Sequence, residues 1–332
     1  MEREMSSLFD SWQRQINYLR ISVTDHCNLG CVYCSVSSLP HLHRSEILSY
    51  EEIERVVRAA AGMGISKVRL TGGEPLVRPD LSKLVSMIAR IEGIDDISLT
   101  SNGILLARYA GELKEAGLSR VNVSLDTLKE DRFKRITGGD RLKEVLAGIE
   151  AAHQAGLEPV KINVVVLRGI NDDELLDFAR KSIDQGWHVR FIEFMPFGTP
   201  GSEDLETFAT QEISERIQSL GRLEPDTGPA GNGPARYYRF PGAKGTIGFI
   251  TPMTEHFCAT CNRLRLTSDG QLRPCLLDED EIGLRAILRC GADTEEIRQV
   301  VRQAVAMKRE CHQLNGGVAP QTVRRPMCQI GG

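Results

Sequence analysis

The sequence predicts an α/β fold, an incomplete (βα)6 barrel of the TIM type with a smaller C-terminal domain. Three observations predict it: six short β-rich runs alternate with helical segments, polar side chains follow one face of those runs, and the composition changes near residue 228. Strands that alternate with helices form a parallel sheet with right-handed crossovers. A chain of 332 residues can bury one large core and a smaller one.

The predicted strands and helices follow one another in a regular order. The strand runs are residues 18–24, 67–73, 96–102, 120–126, 159–167 and 188–195. Between them, Ser49 and Glu52 form a capping box, and Gly117 and Gly156 predict helix C-termini. Because a closed barrel of this type has eight units, six units predict a partial barrel or an open doubly wound sheet.

Three of the strand runs carry polar side chains at every second position. These positions are Arg20, Ser22 and Thr24; Asn122, Ser124 and Asp126; and Lys161 and Asn163. Alternate residues of a strand share one face, and the interior of a closed barrel is filled by branched apolar side chains. The pattern therefore favours an open barrel with a solvated cavity and ligands near the strands' C-terminal ends. An exposed sheet face is the alternative.

Residues 223–238, LEPDTGPAGNGPARYY, are rich in Gly and Pro and predict a long irregular loop. We therefore place one domain at residues 11–228 and the C-terminal domain at 229–332. In the latter, 244–252 and 263–275 predict short antiparallel strands, with a hairpin turn at Asp269-Gly270. Residues 281–290 and 294–308 predict helices.

Composition excludes several classes of function. The chain has 41 Lys and Arg against 45 Asp and Glu, a net charge of −4, which gives no broad attraction for nucleic acid. No apolar run approaches the roughly 18 residues of a membrane span, and the first residues lack a secretory pattern, so we expect a cytoplasmic protein. In a reducing compartment, nine cysteines indicate bound metal, catalysis or ordinary burial rather than disulfides.

The first cysteine group, Cys27, Cys31 and Cys34, has Cys-x3-Cys-x2-Cys spacing and directly follows the first strand. Three thiolates on one loop can hold a metal site and leave its fourth position open. Sulfur ligands select iron–sulfur clusters, zinc or Cu(I). A structural zinc site would need a fourth ligand, for which His26, His41 or His43 could serve.

The second cysteine group, Cys258, Cys261 and Cys275, also leaves one position open. A hairpin can return the third cysteine to the first two, and zinc with His256 or His312 is an alternative. Cations accompany this group: Arg263 and Arg265 share one face of a strand, and Arg20, Arg69 and Lys161 are expected to face the same cavity. Such convergence needs an anionic ligand, and a nucleoside triphosphate held by side chains fits, since no Walker A sequence is present.

The first cysteine loop, with Tyr33 just before its third cysteine, resembles the radical S-adenosylmethionine (SAM) superfamily. The resemblance implies a 4Fe–4S cluster whose open iron chelates the amino and carboxylate groups of SAM, and cleavage of SAM to a 5′-deoxyadenosyl radical. The TGGEP segment at 71–75 resembles the motif for the methionine amino group. Together the motifs place SAM contacts on Tyr33, Gly73, Ser124 and Met195.

Within this superfamily, the motifs together resemble the GTP 3′,8-cyclase family, which begins molybdenum cofactor biosynthesis. They include LRISVTDHCNLGCVYC, FCATCNRLRLT, LRPCL and the terminal RPMCQIGG. The resemblance implies a second 4Fe–4S cluster, on Cys258, Cys261 and Cys275, that binds the guanine base. It places GTP contacts on Arg20, Arg69, Thr100, Lys161, Arg263, Leu264 and Arg265, with Lys67 and Arg190 as weaker candidates. Gly331 and Gly332 resemble the family's tail, which reaches the active site.

The implied reaction removes the ribose 3′ hydrogen of GTP and joins C3′ to C8 of guanine. The implied partners are an electron donor of flavodoxin or ferredoxin type, the synthase that makes cyclic pyranopterin monophosphate, and a second copy of the chain in a homodimer. Two other functions stay open at this point: a peptide-modifying radical SAM enzyme with an auxiliary cluster, and a zinc-stabilised nucleotide-binding protein. Cys290, Cys311 and Cys328 have no ligand role in the resemblance and are expected to be buried or unused thiols.

Overall fold

The computed structural model describes residues 7–34, 41–196, 204–231, 233–312, 325 and 327–331. Six parallel strands follow the predicted runs: β1 (Tyr18–Ser22), β2 (Lys67–Thr71), β3 (Asp96–Ser101), β4 (Arg120–Ser124), β5 (Lys161–Val166) and β6 (His188–Glu193). The helices of this half are α1 (Tyr50–Ala61), α2 (Leu81–Ala89), α3 (Leu106–Glu115), α4 (Glu130–Thr137), α5 (Leu142–Gln154), α6 (Leu175–Asp184) and α7 (Thr210–Ile217). The alternation of strand and helix is therefore as the sequence predicted.

The C-terminal part adds short strands and three helices. They are β7 (Glu224–Asp226), β8 (Arg236–Arg239), β9 (Thr246–Ile250), β10 (Arg263–Leu266), β11 (Gln271–Arg273), β12 (Ile282–Gly283), α8 (Arg285–Arg289), α9 (Thr294–Ala306) and α10 (Met327–Ile330). Over the described ranges, all strands belong to one sheet, in the order β12-β11-β10-β1-β2-β3-β4-β5-β6-β9-β8-β7. The order is linear, so the C-terminal strands extend the barrel at both edges.

Local sequence explains where the helices begin and end. The Ser49 hydroxyl accepts a hydrogen bond from the Glu52 N–H, and the Glu52 carboxylate accepts one from the Ser49 N–H, which is the predicted capping box at the start of α1. Gly117 and Gly156 follow the ends of α3 and α5, as predicted. Along β1, Leu19 and Ile21 pack into the core, and the alternate residues face the opposite side.

Two C-terminal predictions were wrong in detail. The segment 223–238, predicted as an irregular loop, contains the antiparallel strands β7 and β8. β7 carries Pro225 at the edge of the sheet, where a missing N–H costs no ladder hydrogen bond. The helix predicted at 281–290 begins only at Arg285, because Ile282–Gly283 pairs with β11. The Gly and Pro content therefore led to a loop prediction where β7 and β8 form a hairpin at the edge of the sheet.

The two predicted C-terminal strands have mixed pairing rather than purely antiparallel pairing. β10 is parallel to β1 and antiparallel to β11, and the Asp269-Gly270 turn joins β10 to β11 as predicted. β9 is parallel to β6 and antiparallel to β8. Because strands from both predicted domains share one sheet, the boundary between residues 228 and 229 stays a prediction. Within the described residues, no helix is long and apolar enough to cross a membrane.

Two helical glycines give a matched test of packing between α3 and α5. A Cβ at Gly148 in α5 would lie 2.3 Å from the Gly103 carbonyl oxygen, whereas a Cβ at Gly111 in α3 would meet no atom within 4 Å. We expect Gly148→Ala to destabilise the protein by about 1–3 kcal/mol, because the backbone must shift. Gly111→Ala should stabilise it by about 0.5–1 kcal/mol, because Ala loses less backbone entropy. Thermal unfolding followed by circular dichroism measures both; shifts of the same sign would contradict the packing described.

Candidate active site

One cavity opens at the carboxyl ends of the six parallel strands. Residues from the ends of these strands line it, among them Thr71, Ser101, Ser124, Val165 and Glu193. The three thiols of the first cysteine group also line it. The cavity lies where the polar strand faces predicted one, because successive strands of a parallel sheet end at the same edge.

The first cysteine loop follows β1 and is held by backbone hydrogen bonds. The Gly30 N–H donates to the Thr137 carbonyl at 2.8 Å, and the Val32 N–H donates to the Ile136 carbonyl at 2.9 Å, so the loop is tied to the end of α4. The Cys34 N–H donates to the Cys31 carbonyl at 2.9 Å. Burial raises the pKa of the Cys34 thiol to about 12.

The two glycines of the TGGEP segment allow this loop to approach β2 closely. A Cβ at Gly72 would lie 2.4 Å from the Thr24 carbonyl oxygen, and a Cβ at Gly73 would lie 2.2 Å from that of His26. The Gly73 N–H donates to the Thr24 carbonyl at 2.7 Å. The glycines are therefore required for contact between the second strand end and the backbone that precedes Cys27.

The Glu74 carboxylate, which follows β2, connects the end of β3 to the cysteine loop. It is buried and accepts hydrogen bonds from the Ser101 hydroxyl at 2.8 Å and from the Asn102 N–H at 2.6 Å. The Asn102 amide in turn donates to the Cys27 sulfur at 3.9 Å and to Asn28 at 2.7 Å. Burial raises the pKa of Glu74 to about 7. Glu74 thus positions Asn102, and Asn102 positions Cys27.

Tyr33 links the same loop to β4 and β5. Its hydroxyl donates to Asp126 Oδ2 at 2.5 Å, and Asp126 Oδ1 accepts from the Val165 N–H at 2.8 Å. Burial raises the pKa of Asp126 to about 6 and holds the pKa of Tyr33 well above its usual range. The Tyr33 side chain is consequently fixed at the wall of the cavity.

The second cysteine group borders a smaller cavity that adjoins the first. Cys258, Cys261 and Cys275 line it, and Met195, Arg263 and Arg265 line both cavities. Burial opposes ionisation of Cys261, but the nearby Arg263 and Lys308 outweigh it and lower its pKa to about 6. The hairpin of β10 and β11 brings Cys275 back to the other two cysteines, as predicted.

In each predicted group, the three thiols are too widely spaced to share one tetrahedral zinc ion. Around a tetrahedral zinc ion with Zn–S bonds of about 2.3 Å, sulfur atoms lie about 3.8 Å apart. In the described ranges, only two sets of three residues have metal-ligating atoms within 4.8 Å of one another. One set is Asp25, His26 and His41, and the other is His256, Cys311 and His312. None of the six predicted ligand thiols belongs to either set. A 4Fe–4S cluster binds each thiolate to a different iron and spreads them further apart.

The histidines considered as zinc ligands have other contacts. His26 stacks on His41 with ring centroids 4.2 Å apart, and both face Asp25. The His43 ring hydrogen-bonds to Ser45. His256 Nδ1 lies 2.9 Å from the Pro252 carbonyl oxygen, and His312 Nε2 lies 3.2 Å from it.

Five buried arginines line the cavity between the two cysteine groups. They are Arg20, Arg69, Arg190, Arg263 and Arg265. Arg265 on β10, Arg20 on β1 and Arg69 on β2 stand directly opposite one another in the sheet register. Among the residues that the structure describes, none of the five forms an ion pair with a carboxylate. Burial and the neighbouring Arg263 lower the pKa of Arg265 to about 9, and burial also lowers the pKa of Arg20.

Carboxylates also line this cavity, but they bind other donors. Glu74 and Asp126 bind the N–H and O–H groups described above. Glu193 accepts hydrogen bonds from the Met253 N–H at 3.0 Å and the Thr254 N–H at 3.1 Å. The charge of the arginines is therefore left for a ligand.

Most of the predicted site residues line this cavity. Besides the cysteines and arginines, Tyr33, Gly73, Thr100, Ser124 and Met195 do so. Three predicted contacts do not: Lys67 begins β2, Lys161 donates to the Ala230 carbonyl at 2.5 Å, and the Leu264 side chain lies in the core on the opposite face of β10. The carbonyl of Gly331 accepts a hydrogen bond from Arg265. Gly332 lies outside the described residues.

Sequence reasoning did not assign roles to Glu74, Asn102, Asp126 and Glu193. Glu74 lies within the quoted TGGEP segment, and Asp126 is on a polar strand face, so a signal was present for both. Arg190, a weaker candidate, lines the cavity and donates to Asn122 Oδ1 at 2.7 Å.

Two protein-family models match most of the chain. The model of the Radical SAM superfamily matches residues 21–181, and that of Molybdenum Cofactor Synthesis C matches residues 187–314. The chain is 54% identical over 329 residues to the GTP 3′,8-cyclase of Pelotomaculum thermopropionicum, covering 97% of this chain and 99% of the relative. It is 51% identical over 325 residues to the GTP 3′,8-cyclase of Moorella thermoacetica, covering 97% and 99%.

Solved structures with a similar fold include SuiB from Streptococcus suis. Its crystal structure with S-adenosylmethionine gives a TM-score of 0.62 at 14% sequence identity, covering 83% of this chain and 66% of that chain. The structure of SuiB with the precursor peptide SuiA gives a TM-score of 0.60 at 14% identity, covering 82% and 64%. At this identity the likeness concerns the fold alone. With the superfamily match, it confirms the predicted fold class.

The lowered pKa of the buried Lys161 should make anion binding depend on pH. Burial, followed by the charges of Arg190, Arg120 and Arg69, lowers its pKa to about 6, so Lys161 is mostly neutral at pH 7.5 to 8. A triphosphate bound at Arg69 and Arg190, the cavity arginines whose charges lower this pKa, should raise the pKa, so binding takes up about one proton, and affinity falls by at most about tenfold per pH unit above pH 6. Calorimetric titration with GTP in two buffers of different ionisation enthalpy measures the uptake. Lys161→Met should abolish it; the same uptake in that variant would contradict the assignment.

Proposed function

The chain belongs to the GTP 3′,8-cyclase family of radical SAM enzymes, and from this membership we propose that it converts GTP to (8S)-3′,8-cyclo-7,8-dihydroguanosine 5′-triphosphate. This reaction is the first step of molybdenum cofactor biosynthesis. The observation that carries the proposal is the row of buried arginines between the two cysteine groups; these arginines have no carboxylate partners within the described ranges. A polyanion must offset these charges, and GTP carries a triphosphate.

At the first cluster, we assign Cys27, Cys31 and Cys34 as ligands. Three cysteines leave one iron open for the amino and carboxylate groups of SAM. Tyr33, Gly73, Ser124 and Met195 are the proposed SAM contacts, and all line the cavity beside these thiols. The hydrogen bond from Tyr33 to Asp126 holds the aromatic ring in place, and Glu74 acts through Asn102 on Cys27.

At the second cluster, we assign Cys258, Cys261 and Cys275 as ligands and the open iron as the guanine site. Arg263 lies 4.8 Å above the Phe257 ring and beside Cys261, so it can bind phosphate next to the cluster. Arg20, Arg69 and Arg265 continue the positive surface, with Thr100 as a neutral contact. Lys161 and the backbone of Leu264 are further proposed GTP contacts, and Gly331 and Gly332 are proposed to complete the catalytic site.

When bound, the first cluster and SAM would supply the radical chemistry that acts at the ribose 3′ position. The chain's own residues fix the distance between the SAM site and the sugar. The arginines hold the triphosphate, the second cysteine group holds the base, and the buried strand ends exclude water from the space between them. Positioning is therefore the main contribution of the protein.

The remaining assignments concern the setting of the reaction. We propose an electron donor of flavodoxin or ferredoxin type and transfer of the product to the synthase that forms cyclic pyranopterin monophosphate. We also propose that the chain forms a homodimer. We propose a cytoplasmic location as well, because nine unpaired thiols and oxygen-sensitive clusters suit a reducing compartment. A peptide-modifying activity has only the fold of SuiB in its favour, and a single zinc ion in each cysteine group disagrees with the thiol spacing.

Loss of the first cluster and loss of the second cluster should affect SAM cleavage differently. Cys27→Ala should abolish SAM cleavage, because the first cluster supplies the electron. Cys258→Ala should leave some uncoupled cleavage but no cyclised product, because the substrate is no longer placed. Anaerobic iron and sulfide analysis, with 5′-deoxyadenosine and product measured in the presence of dithionite, SAM and GTP, tests both. Two zinc ions and no labile sulfide in the wild type would falsify the function, and equal total loss in both variants would contradict the placing role.

Arg69 should contribute a phosphate contact. Loss of a charge-assisted hydrogen bond costs about 1.5–3 kcal/mol, so Arg69→Ala should lower kcat/KM for GTP about ten- to hundredfold. Arg69→Lys, which keeps the charge, should recover part of that loss. Arg58→Ala is the matched control, because Arg58 is exposed on α1 and pairs with Glu54. Steady-state kinetics measure all three, and equal values for Arg69→Ala and the wild type would remove Arg69 from the site.

A further inference from the structure

A fourth cysteine lies beside the first cysteine group. Cys328, on α10, is 5% exposed and lines the same cavity as Cys27, Cys31 and Cys34. Its backbone lies beside the Cys34 thiol, and its own thiol lies near the thiols of Cys27 and Cys34, while burial raises its pKa to about 12. The proximity therefore involves both ends of the Cys-x3-Cys-x2-Cys group.

Contacts on both sides of Cys328 hold its segment in this place. Before it, Arg325 donates to both carboxylate oxygens of Asp269, at 3.0 and 2.9 Å. After it, Arg265 donates to the Gly331 carbonyl. A Cβ at Gly331 would lie 2.6 Å from Thr71 Cγ2, so the segment packs tightly against β2. Cys328 is thus held at the cavity by ion pairing, hydrogen bonding and close packing.

A 4Fe–4S cluster on three cysteines has one iron without a protein ligand, and four cysteines are the usual complement of such a cluster. Before SAM binds, that iron is open to water and easily lost. A thiol beside the group can lose its proton to solvent and bind the open iron as a thiolate. When SAM arrives, its amino and carboxylate groups replace the thiolate, which takes up a proton again. The exchange involves no change in oxidation state.

We infer that Cys328 is an exchangeable fourth ligand of the first cluster in the SAM-free protein. This inference rests on the cluster proposed above. It gives Cys328 a role in protecting the open iron and in opposing SAM binding, and it makes movement of α10 part of SAM binding.

Oxidative iron loss tests the inference without measuring turnover. Brief anaerobic treatment with ferricyanide converts clusters that have an open iron to the 3Fe–4S form, which electron paramagnetic resonance quantifies. We expect about one 3Fe–4S cluster per chain in the wild type, from the second group, and about two in Cys328→Ala. Cys290→Ala, which removes an exposed cysteine, is the matched control and should behave as the wild type. Equal amounts in the wild type and Cys328→Ala would overturn the inference.

SAM affinity provides a second measurement. Because the competing ligand is absent, Cys328→Ala should bind SAM at least about threefold more tightly in equilibrium titration. A Cys258→Ala/Cys261→Ala/Cys275→Ala variant isolates the first cluster. If that variant keeps its circular dichroism spectrum but holds no iron–sulfur cluster, the proposed function fails. If its cluster loses iron equally with and without Cys328, only the role of Cys328 fails.

Discussion

Five buried arginine side chains line one cavity, and within the described residues none of them forms an ion pair with a carboxylate. Like charges on neighbouring strands repel one another, and Arg265, Arg20 and Arg69 stand in direct register on β10, β1 and β2. Strands in a hydrogen-bonded ladder cannot move apart to relieve this repulsion. The carboxylates of the same cavity accept hydrogen bonds from backbone amides and hydroxyls. They therefore do not neutralise the arginines, and an anionic ligand can do so.

This charge also determines how the two cysteine groups can act. The first group lies on the loop after β1, and the second lies at the hairpin of β10 and β11, so the arginines separate them. A ligand that satisfies the arginines through its phosphates has its base and sugar confined between the groups. Arg263 serves both purposes, because it lines both cavities and lowers the pKa of Cys261. Substrate binding and the properties of the second metal site are thereby coupled.

The sequence predicted the barrel strands well because each has a strong alternating or buried pattern and a clear turn after it. It also grouped the six cysteines as the structure does, from their spacing and, for Cys275, from the predicted hairpin turn. It did not predict the β7 and β8 hairpin, whose Gly and Pro content resembles that of a loop. The Tyr33 to Asp126 hydrogen bond and the approach of Cys328 to Cys34 join distant parts of the chain, and no local pattern records such contacts. The Leu264 contact, in contrast, came from the family resemblance, and the local strand alternation turns this side chain away from the arginines beside it.

The C-terminal segments complete the site rather than merely flank it. β10 supplies two of the five arginines, and it does so only because it pairs in parallel with β1, which sets Arg265 opposite Arg20. Arg265 then binds the Gly331 carbonyl, and Arg325 binds Asp269 in the β10–β11 turn. The barrel without these strands would therefore have the first cysteine group but only part of the positive surface. Arg265 therefore contacts the barrel, the second cysteine group and the Gly331 tail. A charged ligand bound at any one of these three places changes the electrostatic potential at the other two.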